Sequence, residues 1–121
     1  MSLHLHRCTR DEMRSLGLMV SACATLRTWD RLDLLVYAEA MHALTVKLAA
    51  RRYTLKADGN HLTLTDLECL SLSVLLPELT DSMQPYERSL ALQLLADIDT
   101  RRMAMAAAHH VDGDNTLQLE Q

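Results

Sequence analysis

Hydrophobic and polar residues alternate on both sides of Asp58-Gly59, and the alternation predicts a β-hairpin. Tyr53 to Ala57 would form one strand and Asn60 to Leu64 the other. Asp-Gly suits a two-residue type I′ turn, which needs positive φ at both central positions. With that tip, Tyr53, Leu55, Leu62 and Leu64 share one face, and Thr54, Lys56, His61 and Thr63 share the other. A loop that also took in Asn60 would set Leu55 against Thr63 and spoil both faces. A lone hairpin is marginal, so it has to pack on helices or pair with another chain.

The hairpin runs straight into a third helix. Thr65-x-x-Glu68 has capping-box spacing, and Leu67, Leu70, Leu72, Val74, Leu75 and Leu76 follow on nearly every side. A helix apolar all round is normally buried. Pro77 ends or kinks it near Leu76. Leu72-x-x-Leu75-Leu76 matches a motif of docking helices, but in a Leu-rich helix it reads as core.

Elsewhere the period is helical. Leu3 and Leu5 alternate with His4 and His6 in an extended arm. Thr9-x-x-Glu12 then starts a first helix over about Arg10 to Arg27, with Leu16, Met19, Val20, Cys23 and Leu26 on one face. Thr28 or Asp30 caps a second helix running to about Arg52. That helix has two apolar seams on nearly opposite sides. One holds Leu34, Tyr37, Met41, Leu44 and Leu48; the other holds Leu32, Val36, Ala43, Val46 and Ala50, with Glu39 at the remaining step. Both follow the 3–4 spacing of packed helices. A helix with two seams is either sandwiched within its own fold or carries a partner on one side. Glu39 in such a seam needs a partner or water; Arg102 or a basic group across a dimer seam would serve. A fourth helix runs from about Gln84 to Ala108, with Ala91, Leu94, Leu95, Ile98 and Met105 as its core stripe and an Asp97–Arg101 pair on its surface.

The expected fold is therefore mainly α: a four-helix bundle-like domain with a β-hairpin inserted between the second and third helices. Residues 1–108 form a single domain with the hairpin at 53–64, and residues 109–121 form a flexible C-terminal tail. The chain has 121 residues, enough to bury a core without staples. Phe is absent and aromatics are 3%, so Leu, Ala and Met must fill that core, which favours helices. The net charge of −4 argues against bulk attraction to nucleic acid or anionic membrane. No segment reaches the roughly 20 apolar residues of a bilayer span. Three scattered cysteines and no apolar leader in MSLHLHRC suggest a reducing, cytoplasmic setting.

No catalytic or cofactor signature stands out, and no cofactor is expected. Glu39-x-x-His42 matches half of a di-iron motif, but no second copy exists. His4, His6 and Cys8 fall on one side of the extended arm and are weak metal candidates; a fourth ligand would come from His61, Cys69, His109 or His110. Asp112-Gly113-Asp114 begins like a calcium loop but lacks the closing Glu. Cys23 and Cys69 sit on apolar faces and read as inert packing. Lys47, Arg51, Arg52 and Lys56, with His61, form a local basic patch that could meet nucleic acid or an acidic protein.

The residues point to a small non-enzymatic protein-protein interaction or regulatory module. Its partner is a second copy of itself, as a homodimer, or a larger protein, and Leu32, Val36, Glu39, Ala43, Val46 and Ala50 form the partner-binding seam. A nucleic-acid-associated regulator using the basic patch is the alternative, followed by a metal-binding protein.

Overall fold

The computed structural model describes residues 3–26 and 31–120. Its elements are β1 (Leu3–Cys8), α1 (Arg10–Ala24), α2 (Leu35–Ala50), β2 (Asn60–Leu64), α3 (Asp66–Leu75) and α4 (Pro85–Glu120). Short 3₁₀ turns lead into α2 and join α3 to α4. The protein is mainly α, with four helices and a two-stranded antiparallel sheet whose second strand lies between α2 and α3.

Both capping boxes form. The Thr9 and Thr65 hydroxyls accept from the backbone N–H groups of Glu12 and Glu68, and each glutamate accepts in return from the cap N–H. Thr28 and Asp30, the caps expected for α2, lie outside the described residues, and neither caps it: α2 starts at Leu35, behind a 3₁₀ turn, with Leu34 at its N-cap and no side-chain cap. The backbone of α4 stays helical through residues 109–120, where the sequence pattern predicts a tail.

One expectation needs correction. Tyr53 to Ala57 does not form a strand. The partner of β2 is β1, with Leu3 opposite Leu64, His4 opposite Thr63 and Leu5 opposite Leu62. The loop before β2 shows why no local hairpin is needed. Asn60 is buried, and its side-chain amide brackets Lys56: Oδ1 accepts from Lys56 N–H at 2.9 Å and Nδ2 donates to Lys56 C=O at 2.8 Å. The same Nδ2 donates to Cys8 C=O at 3.0 Å. Arg10 N–H donates to Ala57 C=O at 3.2 Å, and the Arg10 guanidinium donates to Leu55 C=O at 3.2 Å. Two carbonyls that the hairpin would have paired, those of Leu55 and Ala57, are thus taken by Arg10 at the start of α1, while the Asn60 amide holds the intervening Lys56. Gly59 still adopts the left-handed region, with φ +78°, as the Asp-Gly signal requires.

The core lies between the helices and the inner face of the sheet. Met13, Leu16, Met19, Val20 and Cys23 of α1 meet Met41, Leu44 and Leu48 of α2. Leu62 and Leu64 cover it from β2; Leu72 and Leu75 of α3 and Ala91, Leu94 and Ile98 of α4 close it. The third helix is less enclosed than its composition suggests, because Leu67 and Leu70 are exposed. Ser71, fully buried, is satisfied by donating to Leu67 C=O at 2.7 Å.

Candidate functional site

The two seams of α2 end in different environments. Met41 and Leu44 are fully buried and Leu48 nearly so. All six residues of the second seam are exposed: Leu32 at 77%, Val36 at 52% and Val46 at 70%, together with Glu39, Ala43 and Ala50. At about 100° per residue the five of these positions that lie in α2 cluster opposite its core-facing stripe, and Leu32 precedes them in the 3₁₀ turn. Among the described residues no element covers them. Arg102 pairs with Asp99 at 2.7 Å, and Glu39 remains on the exposed face. Asp97 accepts from Gln93 at 3.0 Å.

The seam has an internal symmetry. Leu32 and Ala50 lie nine residues on either side of Met41, Val36 and Val46 lie five, and Glu39 and Ala43 lie two. Reversing the helix therefore maps large onto small at the ends, Val onto Val between them, and Glu onto Ala near the middle.

The basic patch divides. Lys47 and Arg51 stand one turn apart on one side of α2, with Arg51 half-buried; its charge draws the Cys8 thiol downward, against the larger upward push from burial. Arg52 lies about 100° further round. Its guanidinium sits 4.7 Å over the Tyr53 ring and donates to the Tyr53 hydroxyl at 2.7 Å. Lys56 is exposed in the loop that Asn60 holds.

The arm does not keep its three candidate ligands together. Between Leu5–Leu62 and Cys8–Asn60, β1 has one residue more than β2. That shift turns Cys8 to the core side, where it is buried, while His4 stays exposed and its Nδ1 lies 3.1 Å from Thr63 Oγ1. The His6 side chain lies outside the described residues. Among the described residues no three His, Cys, Asp or Glu side chains gather as a metal site. Burial raises the Cys23 thiol to about 11, and desolvation also raises Cys8 and Cys69.

One feature escaped the sequence pattern. A groove of about 650 Å³ opens between α1 and the C-terminal half of α2, under the segment 53–55. Its lining comes from three separate stretches. The signal for it was Gly17, a glycine in a helix interior, which costs about 0.5–1 kcal/mol against alanine.

Comparison of the chain with protein-family models, curated proteins and solved structures finds no match. Among the described residues no helix is long and apolar enough to cross a membrane.

Proposed function

We propose that the protein is a non-enzymatic, cytoplasmic interaction module that works as a homodimer through the outer face of α2, with the two helices antiparallel. The observation that carries this is the exposed seam mirrored about Met41. A two-fold interface is self-complementary: residue i meets residue j, and j meets i. Antiparallel pairing about Met41 sets Leu32 on Ala50, Val36 on Val46 and Glu39 on Ala43. Each layer then joins a large residue to a small one, or two of middle size. Parallel pairing would set Glu39 on Glu39 and leave Ala43 and Ala50 facing each other across gaps. In the antiparallel arrangement Glu39 also comes alongside the second copy's His42, an opposed hydrogen-bonding group. Three buried free thiols are consistent with the reducing compartment.

Two measurements test the reading. Light scattering on a sizing column should give about twice the 13.6 kDa chain mass, and Val46→Glu should return the monomer with its helical signal intact. A chain carrying both Val36→Cys and Val46→Cys should crosslink to a covalent dimer on mild oxidation, and neither single variant should. Efficient crosslinking of the single variants would mean parallel helices and would overturn the mirrored pairing. A monomer at every concentration would overturn the dimer.

A further inference from the structure

The groove between α1 and α2 lies on a different side of α2 from the seam. Thr45 and Ala49 line it, roughly a quarter to a half turn away from the mirrored positions. Its floor and walls are apolar: Met13, Gly17, Leu18, Leu48, Ala49 and Leu55. Leu18 is 69% exposed and Tyr53 is 85% exposed, so two large side chains stand at its edge in water. The volume falls within the roughly 300–1,000 Å³ typical of small-molecule sites.

The charges at the groove are all of one sign. Arg14 and Arg52 both line it, and no carboxylate does. The Arg10 guanidinium is close by, held on the carbonyl of Leu55. Arg10 and Arg14 are one helical turn apart, a like-charge spacing that is unfavourable by a few tenths of a kcal/mol unless an anion sits between them. The carboxylates of the same turn point elsewhere. Desolvation raises the Tyr86 phenol on α4, and Glu12 and Asp11 add to that rise, which places both acids toward α4. Arg52 stacks on Tyr53 and donates to its phenol oxygen, which keeps the guanidinium at the groove's edge. The Thr45 hydroxyl is occupied, donating to Met41 C=O at 2.7 Å, so the guanidinium groups and the Tyr53 O–H are the donors left for a ligand head.

We infer that this groove binds a small amphiphile with one anionic head, its apolar body along Gly17 and Leu48 and its carboxylate between Arg14 and Arg52. Guanidinium groups suit such a head because their N–H forks match carboxylate geometry and keep their charge. The absence of a Cβ at Gly17 leaves room for the body; a Cβ built there meets nothing within 4 Å.

The test uses the full chain and decanoate, kept below its micelle concentration, with calorimetry and amide NMR. Saturable binding at one decanoate per chain is expected, with shifts centred on Gly17, Thr45 and Ala49. Decanol should bind about tenfold or more weakly, since its neutral hydroxyl cannot make the charge-assisted pair with the guanidinium groups. Arg14→Gln and Arg52→Gln should each weaken decanoate by about tenfold on the same scale. Gly17→Leu should abolish binding while the fold stands, because its side chain enters open space and leucine is the better helix former. The inference is overturned by the absence of saturable binding, by equal affinity for decanol, or by binding that survives Gly17→Leu. It is also overturned if an acidic amphipathic peptide binds the groove where decanoate does not. None of these readings depends on whether the chain dimerises.

Discussion

Helix α2 carries two stripes of similar composition that meet opposite environments. Met41, Leu44 and Leu48 are buried in the core where α2 packs on α1 and α3, whereas Val36 and Val46, at the same 3–4 spacing, face water. Spacing therefore says that a face is apolar and leaves open what covers it. The inner stripe is covered by the helices on either side of α2 in the chain, α1 and α3. The outer stripe is mirrored about Met41 in its spacing, and reversing it sets large residues against small ones; the dimer proposed above rests on that feature.

The largest expected effect that tests this contrast is at Leu44. Truncating Leu44→Ala should cost about 2–5 kcal/mol of unfolding free energy, since its side chain is fully buried. Urea denaturation measures it, and a loss under about 1 kcal/mol would mean that the inner face is not core.

The thiol on the α1 side of the same core gives the next effect. Burial raises Cys23 from 9.0 to about 11, so the folded state holds its proton longer than the unfolded chain does. The stability this supplies is intact below pH 9 and is lost as pH rises toward 11. Two units at about 1.4 kcal/mol each give a loss of roughly 2–3 kcal/mol. Cys8 and Cys69, raised by burial as well, act in the same direction. Urea midpoints at pH 8 and pH 10.5 should diverge less in Cys23→Ala than in the parent chain. Equal divergence would show that the core does not exclude water from Cys23.

The smallest effect belongs to the outer face. Val46→Thr, nearly isosteric, should change monomer stability by less than about 0.5 kcal/mol when measured at high dilution. A larger loss would place that stripe inside the fold and remove the contrast on which the dimer reading stands.

How much of this was legible depends on the distance over which each feature is decided. Thr9 with Glu12 and Thr65 with Glu68 could be read directly, because a capping box closes within three residues and needs no help from elsewhere. Asp58-Gly59 was half legible. The local demand for positive φ at Gly59 is met, but the chain it turns does not pair with itself. The alternation of Leu3 and Leu5 with His4 and His6 was visible, yet nothing local said that it would lie against Leu62 and Leu64. The seam on α2 was legible as spacing, while its exposure was not. The groove was not legible at all, since Gly17, Leu48 and Leu55 belong to segments that only the packing of α1 on α2 brings together.

The sequence by itself determined that there are four helices, the capping boxes of α1 and α3, the turn at Gly59 and the apolar stripes, since each follows from interactions between residues a few positions apart. Only the tertiary structure decided the partner of β2, the burial of Cys8 and the division of the basic residues. Those outcomes rest on contacts such as His4 with Thr63, 59 residues apart. Competing pairings satisfy the same backbone groups, and the choice falls to the arrangement that also covers Leu62 and Leu64. Here Arg10 and Asn60 settle it physically: Arg10 takes the Leu55 and Ala57 carbonyls that the local hairpin would have used, and Asn60 brackets Lys56 and holds Cys8 C=O, tying the loop to β1.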